Sequence, residues 1–406
     1  MTAAAASRTE PLLAFDEARA LLARAAGPLP AVTLPVEETP GLFLAEAPAS
    51  DGPLPCFTVS TMDGYAVRAA DLEARRPLPC RYEIPAGAKP QPLPQGEAAR
   101  IFTGAVLPDG ADTVVEQERA TRKRDGTVGL EPLPRGSNIR WQGELMQAGD
   151  ALGVAGELIT PWRIALFAAG GVTQVRVIPR PRIALILTGS ELLQPSQQPL
   201  PGQIRDSNGP MLDGLLAQLG CVCTKQLTVA DDLDALRAAF LAAKADADVI
   251  LTSGGVSVGD YDLVPKAVAE LSGEILFHRL AIKPGKPLFA AKLGHTWLLG
   301  LPGNPVSVLC GWRFFARPLL QTLMGATGVF DEPPVHAKVA GHALNRDERV
   351  LFLASILRGE SGKQTVEPLP WKGSHDIVST ARANAFLRVE PGLELNQGDF
   401  AEVYPL

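Results

Sequence analysis

The chain has 406 residues, of which 46% are hydrophobic and 20% are charged, and its formal net charge is −6. A chain of this length is expected to form about two to four domains with sizeable cores. The acidic balance and the lack of a dense Lys/Arg cluster argue against nucleic acid as a partner. No apolar run reaches the ~20 residues of a membrane span, and the N-terminus has no apolar core of signal-peptide length. We therefore expect a cytoplasmic protein that binds neither nucleic acid nor membrane.

The first and third segments of the chain together predict a connector domain. Residues 11–26 carry apolar side chains at helical spacing and end at Gly27-Pro28, which is typical of a helix followed by a stop. Prolines then isolate short strand or turn pieces up to residue 48. Residues 147–178 return with turns and a helix capped by Thr160-Pro161. We assign residues 1–48 and 147–178 to this connector.

Residues 49–146 predict a small separate β-domain, because short strand-like runs alternate there with glycine and proline. Two polar pairs stand out in it. Asp63-Gly64 is a strong hairpin signal, and Thr103-Gly104 follows a strand, where its hydroxyl could meet an oxyanion or a metal-bound water. A plain turn and a plain strand cap remain open as interpretations of the two pairs.

Residues 179–330 alternate strands with helices. This pattern predicts a mainly parallel sheet covered by helices on both faces, a three-layer α/β/α domain. Ligands of such sheets bind at the carboxyl ends of the strands. The unusual residues of this domain fall at those ends, so we take them as candidates for one site.

The most informative strand end lies within residues 247–262, ADVILTSGGVSVGDYD. A buried strand stops at Ser253, and Gly254 and Gly255 let the backbone turn and approach a ligand closely. The free N–H groups, with the hydroxyls of Ser253 and Ser257, suit phosphate-like oxygens. Asp260 and Asp262 follow, and carboxylates beside an anion predict a bound Mg²⁺. An ordinary strand-to-helix turn remains the alternative.

The other strand ends add polar residues of complementary charge. Lysines on a rigid turn suit a dense anion, although an ordinary charged surface remains open as an interpretation. A helix capped by asparagine with proline at its first position offers free N–H groups to an anion, although a simple helix start remains open there. These candidates are Thr188, Gly189, Ser190, Glu191, Asp231, Arg279, Lys283, Lys286, Pro302, Gly303, Asn304 and Pro305. Together they favour metal-assisted chemistry of the phosphoryl type.

Residues 331–406 are rich in strand-like runs and predict a small β-barrel domain. Its polar segment, residues 371–376 with the sequence WKGSHD, contains Ser374 and could cover a neighbouring site. An ordinary barrel loop is the alternative.

Five motifs, TSGGVSVGDYD, AIKPGKP, LPGNPVS, TGSEL and STMDGYAV, closely resemble those of the molybdopterin molybdotransferases, which are related to the gephyrin E domain. The resemblance covers nearly the whole chain. It implies a multidomain α/β plus β fold and an elongated homodimer. It also implies insertion of molybdate into adenylated molybdopterin with Mg²⁺ and release of AMP, the final step of molybdenum cofactor assembly. Expected partners are the molybdopterin adenylyltransferase and the acceptors of the finished cofactor.

Site residues carry over from this resemblance by motif. Asp63 and Thr103 resemble the contribution of the partner subunit to a shared active site, and Ser374 resembles that of the barrel. Arg279 and Lys283 resemble a cationic pair near phosphate or molybdate. The acidic set for metal, water and molybdate is Glu191, Asp231 and Asp262. The loop 253–255 and the turn 302–305 resemble the pterin-nucleotide cradle.

The sequence departs from the family pattern at two cationic positions. Arg279 stands where the family often has lysine, and Ala354 stands where a barrel strand often carries arginine. Arg349 and Arg358 are the candidates to replace that second cation. Two other functions, an adenylyltransferase and a scaffold, fit the sequence less well. An adenylyltransferase lacks the β-domain and the barrel, and a scaffold that only binds would not need the acidic set.

Overall fold

The computed structural model describes residues 12–256, 263–359 and 363–406. The chain divides into two units, one formed by Met1–Val32 and Ile178–Leu406 and the other by Thr33–Val177. Within the described ranges, no helix is both long and apolar enough to cross a bilayer.

The larger unit contains the predicted α/β domain, whose centre is a six-stranded sheet. Its strands in chain order are β1 (Ile183–Thr188), β2 (Cys223–Val229), β3 (Val249–Ser253), β4 (Glu274–His278), β5 (Phe289–Leu293) and β6 (Thr296–Leu301). The spatial order is β2-β1-β3-β6-β5-β4. The first four of these are parallel, and β5 runs antiparallel to both of its neighbours. Because β2 and β3 lie on opposite sides of β1, the strand order reverses between β1 and β3.

Helices cover both faces of this sheet. They are α1 (Asn208–Gln218), α2 (Leu233–Lys244), α3 (Leu263–Glu270), α4 (Pro305–Gly311) and α5 (Arg317–Leu323), with a π-helical turn, Trp312–Ala316, joining the last two. The apolar stripes of α2 and α3 pack on one face around Phe240, Ile250 and Phe289. Helices α1 and α4 lie side by side over the other face. The three-layer arrangement predicted from the sequence is confirmed.

The N-terminal helix, Phe15–Ala25, packs within the larger unit. Its first residue, Phe15, meets Phe314 of the π-helical turn edge to face, with ring centroids 5.2 Å apart, and Phe352 of the barrel at 4.9 Å. The helix begins later than predicted because Leu13 pairs as an extended residue with Leu280.

A closed barrel forms the C-terminal part of the larger unit, as predicted. Its strands in spatial order are Val350–Arg358, Thr365–Pro368, Val335–Val339, Phe400–Pro405 and Ala385–Val389, and the last pairs back with the first. The short strand Ile282–Lys283 of the α/β domain pairs in parallel with Val350 and Leu351. Residues 281–287, which carry Lys283 and Lys286 and are called the lysine turn below, are therefore hydrogen-bonded directly to the barrel.

The smaller unit contains a six-stranded sheet and a three-stranded one. The six strands in spatial order are Thr113–Glu116, Gly64–Val67, Ala98–Ile101, Leu78–Ile84, Thr127–Leu130 and Ala120–Arg122. The three-stranded sheet has the order Val32–Pro35, Gln174–Ile178, Phe43–Leu44. The helix Pro161–Ala169 begins after the predicted cap Thr160, whose hydroxyl accepts from the Arg163 amide. Short strands therefore do occur throughout residues 49–146, as the alternation of strand-like runs with glycine and proline predicted.

One interpretation left open by the sequence, a hairpin turn at Asp63-Gly64, is excluded by the strand pairing. Asp63-Gly64 does not join two paired strands, because Val59–Ser60 pairs with Ile139–Arg140 whereas Gly64–Val67 pairs with two other strands. Glycine is required at position 64 for another reason. A Cβ placed there would lie 2.1 Å from the carbonyl oxygen of Val115, so only glycine allows the two strands to approach.

Candidate active site

The candidate site begins at the point where the strand order reverses, at the carboxyl ends of β1 and β3. Leu187 pairs with Ser253 in the parallel register, so Thr188 and Gly254 leave the sheet side by side. The Thr188 hydroxyl donates to the Ser253 carbonyl at 3.3 Å, and both residues are buried. A crevice at such a reversal is where open α/β sheets bind ligands.

Backbone conformation at the end of β3 depends on glycine. Gly254 and Gly255 have φ of 96° and 66°, in the left-handed region. A Cβ on Gly254 would lie 2.5 Å from both the carbonyl oxygen and the hydroxyl of Thr188. The two glycines therefore allow the chain to turn sharply while the end of β3 packs closely against Thr188.

Two carboxylates flank the loop that follows β1. Asp231 accepts from the Ser190 amide at 3.3 Å, and the Ser190 hydroxyl is 3.4 Å from the Asp231 amide. The exposed Glu191 lies over Gly189, where a Cβ would be 2.7 Å from a Glu191 carboxylate oxygen. The structure thus brings Gly189, Ser190, Glu191 and Asp231 together beside Thr188.

The turn after β6 forms the other wall of the crevice. Asn208, at the start of α1, donates through Nδ2 to the Ser253 hydroxyl at 2.9 Å and to the Gly303 carbonyl at 2.7 Å. It therefore ties the end of β3 to the turn 302–305. Its Oδ1 is buried and has no hydrogen-bond partner among the described residues.

The barrel reaches this turn through its polar segment. Asn304 donates to the Ser374 hydroxyl at 2.9 Å, and the Val306 amide donates to the Ser374 carbonyl at 3.1 Å. The Asp376 carboxylate holds the segment by accepting from the amides of Lys372 and Ser379, and these hydrogen bonds lower the pKa of Asp376. The prediction that Ser374 lies at the site is consistent with this position, although Asn304 does not cap the helix with its side chain.

The lysine turn lies at the junction with the barrel. Lys283 is half-buried, with Nζ 3.2 Å from an Asp347 oxygen and 5.1 Å from the ring centroid of Trp371. Because Trp371 and Ser374 belong to one loop, the turn and the crevice are linked through residues 371–376. A cavity of about 640 Å³ is lined by Lys283, Arg346, Asp347 and Trp371.

The remaining cationic candidates take different positions. Arg279 has a left-handed backbone at φ 69°, and its Nε is buried without a hydrogen-bond partner in the described part of the chain. The Lys286 carbonyl closes the turn by accepting from the Leu280 amide at 2.7 Å. Of the two arginines considered in place of position 354, Arg349 shares Asp347 with Lys283, whereas Arg358 pairs with Glu367.

In the smaller unit, Asp63 and Thr103 are brought together. The Asp63 carboxylate accepts from the amide and from the hydroxyl of Thr103, both at 2.8 Å. These hydrogen bonds lower the pKa of Asp63. An ionised carboxylate next to a threonine hydroxyl is thus presented on an exposed loop.

Three predicted residues, Ser257, Asp260 and Asp262, lie outside the described residues. Among the residues that are described, no group of three or more His, Cys, Asp or Glu side chains could hold a metal ion. Glu191 and Asp231 by themselves offer two oxygen ligands beside the cradle, which fits Mg²⁺ because that ion keeps waters and substrate phosphates in its coordination shell.

Two polar residues of this region, Asn208 and Asp347, were not among those predicted from the sequence. Asn208 carries a weak signal, since Asp206-Ser207 precedes the helix that begins at Asn208, and Asp206 accepts from the amides of Asn208 and Gly209. Asp347 carries none, because it becomes a partner of Lys283 only when the barrel packs beside the lysine turn.

Three family models match successive stretches of the chain. Residues 13–171 match the MoeA N-terminal region (domain I and II), residues 184–322 match a probable molybdopterin binding domain, and residues 339–406 match the MoeA C-terminal region (domain IV).

Relatives that match most of the chain support the same family. The chain is 34% identical over 387 residues to the molybdopterin molybdenumtransferase of Haemophilus influenzae, covering 93% of this chain and 95% of the relative. It is 35% identical to that of Bacillus subtilis, covering 88% and 85%. A crystal structure of a molybdopterin biosynthesis MoeA protein from Pyrococcus horikoshii superposes with a TM-score of 0.83 at 30% identity, covering 97% of this chain and 99% of that one.

The fold and these comparisons thus define a multidomain transferase of molybdenum cofactor biosynthesis, built around an α/β domain of the molybdopterin-binding type. The chain belongs to the MoeA family, whose curated members are molybdopterin molybdenumtransferases.

Proposed function

We propose that this chain transfers molybdenum from molybdate to adenylated molybdopterin and releases AMP. The supporting observation is the linkage of two complementary subsites. A glycine-lined crevice at the strand reversal is joined through the barrel loop 371–376 to a cavity that contains Lys283. The crevice suits the phosphate and pterin groups, and the cationic cavity suits a tetrahedral dianion.

The residues of the crevice have separable roles in this proposal. Backbone amides near Gly254 and the Ser253 hydroxyl bind oxyanions, and Asn208 fixes the width of the cradle through its two hydrogen bonds. Glu191 and Asp231, with Asp262, would hold Mg²⁺, which when bound neutralises phosphate charge. Arg279 and Lys283 orient the departing phosphate and the incoming molybdate.

The active site is proposed to be shared within a homodimer, with Asp63 and Thr103 supplied by the second subunit. Exposed apolar side chains of the smaller unit, among them Leu158 and Trp162, support an association surface there, since Trp162 is 75% exposed. The substrate would come from the molybdopterin adenylyltransferase and the product would pass to cofactor acceptors, in the cytoplasm.

The test is AMP release by the purified chain mixed with adenylated molybdopterin, Mg²⁺ and molybdate. We expect release to depend on molybdate and to fall on the order of 100-fold in Glu191→Gln and in Asp262→Ala, because each substitution removes a carboxylate from the proposed metal site. Glu274→Gln, which changes an exposed glutamate of β4, is the matched control and should keep wild-type activity.

Two results would contradict the proposal. Tight nucleotide binding without any AMP release would indicate a binding protein rather than this transferase. Release that is equally fast without molybdate would indicate hydrolysis of the adenylated substrate that is not coupled to metal transfer.

A further inference from the structure

A single carboxylate, that of Asp347, is shared by two cations in the barrel cavity. Oδ2 lies 3.2 Å from Lys283 Nζ and 2.7 Å from Arg349 Nη2, and Oδ1 accepts from Arg349 Nε at 2.7 Å. The arginine contact is bidentate, which is the stronger and more oriented of the two. These ion pairs and hydrogen bonds lower the pKa of Asp347, so this carboxylate is ionised at neutral pH.

The loop that carries Asp347 is fixed by buried hydrogen bonds. Asn345 is buried, and its Nδ2 donates to the carbonyls of Arg349 at 2.8 Å and Val389 at 2.9 Å. Its Oδ1 accepts from the Asp347 amide at 3.0 Å, and Asp347 Oδ1 accepts from the Arg349 amide at 3.2 Å. Asp347 is therefore held at its place by the loop itself and does not depend on Lys283 for it.

Lys283 has fewer restraints. Its only charged partner among the described residues is Asp347, and its second contact is the face of Trp371. Arg346 and His342 also line the cavity. The charged side chains that line the cavity are thus Lys283 and Arg346 against the one carboxylate of Asp347, with His342 paired to Glu394, so the lining favours an anion even with Asp347 ionised.

We propose that Asp347 is a positioning residue that serves as an exchangeable counter-ion for Lys283. Before molybdate enters, the carboxylate holds Lys283 Nζ beside the cavity. When molybdate binds, its oxygens take over the lysine while Arg349 keeps Asp347 in place. This inference rests on the proposed function, because it assigns molybdate to the Lys283 cavity.

The proposal predicts opposite effects on binding and on turnover. Asp347→Asn keeps an acceptor for the Arg349 amide but removes a negative charge that competes with molybdate, so molybdate should bind on the order of tenfold more tightly. Lys283 also loses the partner that orients it, so kcat should fall while the KM for molybdate falls with it. A purely structural role would not lower KM.

The experiment measures molybdate binding to the full chain by equilibrium dialysis without pterin, together with steady-state AMP release. Glu348→Gln is the matched control, since it removes the same charge from the neighbouring residue. The Glu348 side chain is exposed and makes no hydrogen bond or ion pair within the described ranges. Arg349→Gln is the opposing variant. It removes the arginine from Asp347, so that Lys283 is the remaining cation paired with this carboxylate. Molybdate binding should weaken several-fold, because one positive charge near the cavity is lost.

The outcomes separate this inference from the proposed function. Tighter molybdate binding in Asp347→Asn than in Glu348→Gln, with weaker binding in Arg349→Gln, supports the exchange. Equal affinities in the two acidic variants, or no molybdate bound by any form of the chain, would overturn it even if AMP release proceeds. Failure of AMP release with the affinity pattern intact would instead count against the transferase reaction. Asp347→Glu, which restores the charge, should return affinity towards the wild-type value.

Discussion

At the scale of single residues, the crevice depends on backbone that only glycine adopts without strain. Gly254 combines a left-handed φ of 96° with a close approach to Thr188, and its amide donates to the Leu301 carbonyl at 3.0 Å. The same residue thus connects β3 to β6 and packs closely against the end of β1. A side chain at this position would affect folding and binding together.

Gly254→Ala is expected to destabilise the chain by on the order of 3 kcal/mol, from the positive φ and from the 2.5 Å contact with Thr188. Urea unfolding measures this free energy. Gly214→Ala is the control, because Gly214 is exposed within α1 and a Cβ there meets nothing within 4 Å. That variant should be stable to within about 1 kcal/mol of wild type, or more stable. Equal stabilities of the two variants would refute the assigned role of Gly254.

At the scale of elements, the neighbouring strands β1 and β3 are joined by an ion pair at the end opposite the crevice. Arg182 precedes β1 and Asp248 precedes β3, and the guanidinium contacts the carboxylate at 2.9 and 3.1 Å while the Arg182 amide donates to it at 2.8 Å. Burial raises the pKa of Asp248, but the hydrogen bonds from Arg182 and its positive charge lower this pKa by a larger amount. The pKa of Asp248 is therefore below its usual value. The pairing sets the register of β1 against β3, on which the crevice depends.

Asp248→Asn should therefore lower the free energy of unfolding in a pH-dependent way, by about 1 kcal/mol near neutral pH for this partly exposed pair. A carboxylate whose folded-state pKa is depressed contributes stability that is present above its unfolded pKa, near 3.9, and is lost as pH falls through the folded value. The difference from wild type should hold from about pH 7 to pH 5 and shrink below about pH 4.

Thermal unfolding across this range checks the expectation. Asp246→Asn is the matched control, since Asp246 is exposed and precedes the same strand. A difference for Asp248→Asn that persists undiminished in acid would show that packing, and not the charge, is responsible.

At the scale of the whole molecule, the proposed homodimer makes a quantitative prediction. Asp63→Ala inactivates the contribution of the small β-domain, and Glu191→Gln inactivates that of the α/β domain. If each active site combines the two contributions from different subunits, a mixed dimer contains one intact site. Random exchange between equal amounts of the two inactive variants should then restore about a quarter of the wild-type AMP release.

Mixing the variants after mild dissociation and reassociation performs this test. The control mixes Asp63→Ala with Thr103→Val, which both affect the same domain and should not complement. Activity no higher than that of the separate variants would place both contributions in one subunit.

The sequence determined most of the architecture, because its signals are local. Alternation of strands and helices predicted the parallel sheet, and the β-rich tail predicted the barrel, since periodicity follows directly from backbone geometry. The turn at the end of β3 was also predictable. Gly254 and Gly255 after a buried strand require a left-handed turn, and residues at the carboxyl ends of parallel strands meet at one edge of the sheet.

Only the tertiary structure decided which polar residues became partners across distant segments. Asp63-Gly64 has the sequence of a hairpin turn, yet its carboxylate binds Thr103 and its glycine serves a close strand contact. Asp347 and Arg349 lie more than sixty residues from Lys283 and share a site with it only because the strand Ile282–Lys283 adds to the barrel. Such contacts depend on how domains dock, and no local pattern encodes the packing that brings these charges together.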